Sequence, residues 1–214
     1  MARLGPRALD VYVVTTGTLV SGRAHGEIAA AAVEGGATAV QLRAPELDDE
    51  RLRPLAEMIA RMCGDAGVLF FVNDRVQVAV SADAAGAHVG QADRPDEART
   101  RLGPERLLGV SISGPEEAGA AASAGADYLA VTVWETATKP EAVPVGLEGL
   151  REVAAATALP VVAIGGIRPG NVRDVLAAGA SGVAAISAVA AAADPVEAVR
   201  ELREAVDGYY EAAR

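Results

Sequence analysis

Short, continuous apolar runs recur along the chain: "LDVYVVT" (9–15), "TAVQLR" (38–43), "VLFFVN" (68–73), "GAHVG" (86–90), "LLGVS" (107–111), "DYLAVTV" (127–133), "PVVAIG" (160–165) and "GVAAIS" (182–187). Strands exposed on one face alternate apolar and polar residues, whereas these runs suit strands covered on both faces. The segments between them have helical spacing. "DDERLRPLAEMIARMCGDAG" opens on Asp48 and Asp49, which complement a helix N-terminus, and Gly64 is its expected end. Gly36-Ala37, Gly125-Ala126 and Gly179-Ala180 each precede a strand, where glycine can end a helix in the left-handed conformation. Eight strand-helix units fill the 214 residues, and no Pro/Ser-rich linker or charge run divides them. The pattern predicts one (β/α)8 TIM barrel spanning residues 1–214 as a single domain. A doubly wound sheet fits less well, because "TTGTLVSG" after the first run lacks the G-x-G-x-x-G fingerprint.

Composition narrows the function. The 51% hydrophobic content predicts a packed core, and the net charge of −10 argues against a nucleic-acid binder. An anionic substrate remains compatible, since a few nearby cations outweigh a distant acidic surface. Cys63 is the only cysteine, so an intrachain disulfide is impossible. The N-terminal apolar run is too short for a signal sequence or membrane span, which makes a cytoplasmic protein without membrane contact the expectation.

In a barrel of this kind the carboxyl ends of all strands converge on one face. The polar residues of this chain gather at those ends: Gln41 and Arg43, Asn73 and Asp74, Gln91 and Asp93, Ser111, then Thr136, Thr138 and Lys139, Gly165-Gly166, and Ser187. Taken singly, each has a structural reading. Asn73 or Asp74 could cap the next helix, Asp93 could make a turn, and Arg43 and Lys139 could be rim charges. His88 reads as a satisfied core histidine, His25 as a helix-start residue with no visible partner, and Trp134 as loop packing. Taken together they read as a lined pocket. "IGGI" and "ISAV" after strands seven and eight have the composition of a phosphate cradle. Asp74 and Asp93 are hard oxygen ligands suited to Mg²⁺, and Arg43 and Lys139 add cations for a second phosphate group.

The stretches "VYVVTTG", "AVQLR", "VNDRVQVAV", "GAHVGQADRP", "TATKP", "PVVAIGGIRPGNV" and "GASGVAAISAV", in that order, resemble the thiamine phosphate synthase family. The resemblance implies a transferase that condenses hydroxymethylpyrimidine diphosphate with thiazole phosphate, or its carboxylated precursor, giving thiamine phosphate and diphosphate. Carried over by motif, Gln41 and Asn73 touch the aminopyrimidine, while Arg43, Ser111 and Lys139 hold the diphosphate and act on it as it leaves. Asp74 and Asp93 bind Mg²⁺, and Thr136, Thr138, Gly166, Ile186 and Ser187 receive the thiazole phosphate. Small-molecule substrates are the implied partners, and a homodimer is compatible with the sequence. The chain also departs from the family pattern. "QLRAP" has Pro45 where a lysine is usual, and "VTVWETATK" is one residue short after strand six. Two other readings are a thiazole tautomerase and a non-catalytic thiamine phosphate binder. The tautomerases carry a histidine where this chain has Ser113, and they generally lack the metal carboxylates.

Overall fold

Each apolar run forms a short strand: β1 (Val11–Val14), β2 (Ala39–Leu42), β3 (Leu69–Asn73), β4 (Gly86–Val89), β5 (Leu107–Ile112), β6 (Tyr128–Thr132), β7 (Val161–Ile164) and β8 (Gly182–Ala185). All neighbours pair in parallel, in sequence order, and β8 returns to β1 to close the barrel. The computed structural model describes residues 4–17, 22–90, 94–135 and 142–212. Among these the helices are α1 (His25–Glu34), α2 (Asp49–Ala66), α3 (Val76–Ser81), α4 (Pro95–Leu102), α5 (Pro115–Ser123), α6 (Gly146–Ala155), α7 (Val172–Ala177), the one-turn α8 (Ser187–Ala190) and α9 (Pro195–Ala212). None of them is long and apolar enough to cross a membrane.

Two hydrophobic layers follow from the two-residue period of the strands. Outward residues such as Val11, Val13, Val40, Leu42 and Val72 pack on Ile28, Leu52, Ile59, Leu150, Val199 and Leu202 of the helices. Inward residues fill the barrel itself: Tyr12, Val14, Ala39, Phe71, Leu107, Tyr128, Ala130, Val162 and Ala184. Burying one Val- or Leu-sized side chain is worth about 1.5–3 kcal/mol, so this two-sided burial explains why the strand sequences lack alternation. Space inside is rationed by glycine. A Cβ on Gly86 would lie 2.0 Å from the Leu107 carbonyl oxygen, and one on Gly182 would lie 1.8 Å from that of Leu9.

The strand boundaries agree with expectation to within two residues at each end. Gly36, Gly125 and Gly179 do adopt positive φ, at 89°, 91° and 101°. One boundary differs. Asp48 caps α2, accepting from the Arg51 N–H at 2.9 Å, but the helix continues past Gly64 to Gly67. Gly67 has φ 70° and donates to the Cys63 and Gly64 carbonyls, so it is the residue that takes up the terminating left-handed turn.

At the amino-terminal face, Asp10 is fully buried and its Oδ2 accepts from Arg7 Nε (2.6 Å) and Arg203 Nη2 (2.8 Å). Burial raises the Asp10 pKa against the pull of both arginines, whereas the hydrogen bonds from Arg203 and Arg7 hold Asp207 well below the usual carboxylate range. Asp10 Oδ1 has no partner among the described residues, so Oδ2 carries the whole compensation. Breaking a buried ion pair from one side typically costs about 3–5 kcal/mol. Arg203→Met should therefore lower thermal stability by roughly 3 kcal/mol, and Asp10→Asn combined with it should recover part of the loss. Calorimetric melting of the single and double variants checks both. Turnover at a permissive temperature should not change, because the cluster lies on the face away from the strand exits.

Candidate active site

Register and alternation place several polar residues of the described strand exits in the barrel interior. Gln41, His88, Ala130 and Ala184 occupy equivalent inward positions on the even strands. Val14, Asn73, Ser111 and Ile164 form the next layer toward the carboxyl ends, from the odd strands. Arg43 and Ile186 continue the same period two residues beyond Gln41 and Ala184, at the rim. Gln41, Arg43, Asn73, Ser111 and Ile186 thus share one interior surface that narrows from the rim into the barrel.

Beneath that surface runs a chain of hydrogen bonds across the barrel. Gln41 Nε2 donates to the Tyr12 hydroxyl at 2.9 Å, and the Tyr12 and Tyr128 hydroxyls lie 2.9 Å apart. His88 Nδ1 is 3.0 Å from the Tyr128 hydroxyl, and His88 Nε2 is 3.0 Å from Ser111 Oγ. Burial raises the pKa of both tyrosines above the ordinary phenol value, so both keep their protons. Aromatic packing fixes the rings, with Phe71 against Tyr12 and Tyr128 at centroid distances of 5.5 and 5.4 Å. Gly109 of β5 makes the crossing possible. A Cβ there would stand 2.1 Å from Tyr128 Cζ and 2.4 Å from His88 Nδ1. His88 is buried with both ring nitrogens engaged, as a core histidine should be, but its partners connect two candidate ligand-binding residues.

At the rim, the Arg43 N–H donates to Thr15 Oγ1 (3.2 Å), and the same hydroxyl contacts His25 Nδ1 at 2.7 Å. His25 Nε2 reaches Glu46 Oε1 at 2.8 Å. The expectation that His25 has no partner is therefore corrected: it ties the β1 exit to the loop after β2. Burial, the largest influence on Glu46, would raise its pKa, but the His25 hydrogen bond, a backbone hydrogen bond and the charges of His25 and Arg43 together hold the carboxyl below its usual value. The Arg43 guanidinium has no hydrogen bond or ion pair among the described residues, which leaves its charge available at the rim.

Asp74 is exposed and has φ 58°, a left-handed conformation that is uncommon outside glycine and gathers at functional turns. It does not cap α3, whose N-cap residue is Arg75 and which has no side-chain cap. Together with Val76, Val89, Arg94, Glu97, Ala98 and Arg101 it lines a cavity of about 260 Å³. Gly165 and Gly166 turn sharply (φ 90° and 66°) beside Trp134, and a Cβ on Gly165 would lie 2.6 Å from the Trp134 carbonyl oxygen. The loop reading of Trp134 holds in that contact. Asn171 secures the same turn, donating to the Gly166 carbonyl (2.9 Å) and accepting from the Arg168 N–H (3.0 Å). Ser187 is exposed at the first position of α8, and Arg23 donates to the Ala190 and Ala193 carbonyls at the other end of that helix. Asp93, Thr136, Thr138 and Lys139 lie outside the described residues. Cys63 is buried in α2 with its thiol pushed up to about 12 by burial, so it is no nucleophile.

Comparison with known proteins bears on the family and the fold. The thiamine monophosphate synthase family model matches residues 11–189. A thiamine-phosphate synthase of Moorella thermoacetica is 49% identical over 174 residues, covering 80% of this chain and 83% of its own. One from Methanoregula boonei is 48% identical over 176 residues, with 80% and 81% covered. The solved thiamine phosphate pyrophosphorylase of Pyrococcus furiosus superposes with a TM-score of 0.88 at 37% identity, over 95% of this chain and 98% of that one. The match runs from the first strand through the short helix after the eighth, and the chain belongs to the thiamine monophosphate synthase family.

Proposed function

We infer that the chain condenses an aminopyrimidine diphosphate with a thiazole phosphate, giving thiamine phosphate and free diphosphate. The observation that carries this reading is the shared interior surface of Gln41, Arg43, Asn73 and Ser111 at the carboxyl ends of β2, β3 and β5. It offers amide groups for a heteroaromatic ring next to a cation and a hydroxyl for an anion. In the reaction, the bond from the pyrimidine methylene carbon to the diphosphate oxygen breaks, and both electrons leave with the diphosphate. The thiazole nitrogen then supplies the electron pair of the new C–N bond. Gln41 and Asn73 hold the ring, and Arg43, Ser111 and Lys139 gather the diphosphate and stabilise the charge that grows on its oxygens. Thr136, Thr138, Gly166, Ile186 and Ser187 take the thiazole phosphate, next to the tight Gly165-Gly166 turn. Positioning and electrostatics carry the rate, and no covalent intermediate with the protein is needed.

Mg²⁺ fits the donors as a partly hydrated ion. Among the described residues no three His, Cys, Asp or Glu side chains form a metal cluster, so a cage made of protein alone is not offered there. Magnesium commonly keeps waters and takes one or two carboxylates plus phosphate oxygens, which Asp74, Asp93 and the diphosphate can supply. When bound, it would neutralise charge on the leaving group. The cytoplasm, where small phosphorylated metabolites are retained, is the proposed location.

Incubating the chain with both substrates and Mg²⁺ should yield thiamine phosphate, and chelation should stop it. No product under saturating substrates and metal would sink the reading. Asp74→Ala and Asp93→Ala should each lower turnover about tenfold or more at limiting Mg²⁺ without lowering the melting temperature, since even indirect partners of a metal are worth 10–100-fold. Wild-type rates in both variants would remove the metal assignment.

Pro45 generates a further prediction. It is exposed, directly before Glu46, at the position where the family usually has lysine. A charge-assisted hydrogen bond contributes about 1.5–3 kcal/mol. Pro45→Lys should raise kcat/KM for the pyrimidine diphosphate on the order of tenfold, leaving the KM for thiazole phosphate little changed. Pro45→Ala is the control for released backbone restraint, and a lysine variant no better than alanine means that another cation already serves.

A further inference from the structure

The hydrogen-bond chain inside the barrel has a direction. The Gln41 Nε2 group has hydrogens but no lone pair to offer, so the Tyr12 oxygen accepts from it. The single Tyr12 hydrogen is then left for the Tyr128 oxygen. Tyr128 in turn gives its hydrogen to His88 Nδ1, which must carry a lone pair. A neutral imidazole protonated on Nε2 follows, and that N–H donates to Ser111 Oγ. Two groups at the ends of the chain remain uncommitted. Gln41 Oε1 makes no hydrogen bond among the described residues and is not sealed from solvent. Ser111, already accepting from His88, keeps its own hydrogen to donate.

We propose that this polarity selects the substrate: Gln41 Oε1 is held as an acceptor for a ring bearing an amine, and the Ser111 hydroxyl as a donor to an anion. Tyr12, Tyr128 and His88 are positioning residues that transmit the polarity between the two ends. With every hydrogen reversed, Gln41 would present N–H donors and Ser111 would aim a lone pair at the anion. A ring with a carbonyl in place of the amine would then be preferred. Inversion requires five residues to change together, so the chain resists the amide flip that a lone glutamine could make at little cost. If the aminopyrimidine sits against Gln41, as inferred above, its amine meets the one orientation of the carboxamide that can accept from it.

Two measurements on the full chain test the proposal. ¹⁵N-labelled histidine spectra of the unliganded protein, with His88 assigned by its loss in His88→Asn, should show a neutral Nε2–H tautomer at neutral pH. An Nδ1–H tautomer at His88 overturns the proposed direction. Binding of the aminopyrimidine diphosphate and of its oxo analogue should differ at least about tenfold in the wild type. Tyr12→Phe keeps the ring packing on Phe71 but frees the Gln41 amide. It should bring the ratio to within about threefold, chiefly by tightening the oxo analogue. Tyr128→Phe cuts the chain one residue later and should narrow the ratio less. A wild-type ratio in a folded Tyr12→Phe overturns the proposal. Failure of the wild type to bind either diphosphate would instead remove the functional reading, and the His88 tautomer would still decide the direction of the chain.

Discussion

Closing eight parallel strands into a barrel forces side chains from alternate strands into shared layers, and one close approach within those layers governs the rest of this interior. Tyr128 and His88 meet only because β5 has no Cβ at Gly109. With that gap filled, the Tyr128 hydroxyl would lose its place between Tyr12 and His88, and several buried polar groups would need new partners in a space with none to spare. Unpartnered polar groups in a dry interior cost about 1–3 kcal/mol each, so the network is held in place by the expense of its alternatives more than by the worth of its bonds.

The same economy explains how an acidic chain can take anionic substrates. Most cations among the described residues are already paired, including Arg7 and Arg203 with Asp10 and Asp207, Arg75 with Asp49, and Arg99 with Asp127. Arg43 is an exception at the barrel rim, with its backbone secured through Thr15 and its side chain uncommitted. The net charge of −10 is spread over the surface, where water and salt screen it over about 8–10 Å. A ligand inside the mouth therefore experiences the local cations and dipoles.

Much of the fold was legible in the sequence because double-sided burial leaves a signature that survives without tertiary information: runs such as "VLFFVN" and "PVVAIG" separated by helical spacing. The polar strand exits were legible for the same reason, since a carboxamide or hydroxyl stands out after an apolar run. The end of α2 is not legible because either Gly64 or Gly67 can stop a helix, and only the backbone decides which one turns left-handed. The interior chain was not legible. Tyr12 and Tyr128 sit in apolar strands as ordinary large core residues, and their hydroxyls become informative only when β1, β6 and β4 are brought around one axis. Gly109 inside "LLGVS" was the available hint, since a glycine in a strand interior often marks a close approach. His25 looked solitary because its partners, Thr15 and Glu46, lie on two other loops.

The ion cluster beneath the barrel has a consequence for biosynthesis. Asp10 lies immediately before the first strand, and its partner Arg203 is 193 residues further along, on the last helix. Until α9 has left the ribosome, Asp10 has only Arg7 to compensate its charge, and β1 cannot find its second neighbour before β8 exists. The first strand to be made is thus the last to be sealed on both edges. An open sheet of this kind has a first edge that invites pairing with other chains until β8 pairs with β1, and the Asp10–Arg203 contact then fastens α9 beneath the closed barrel.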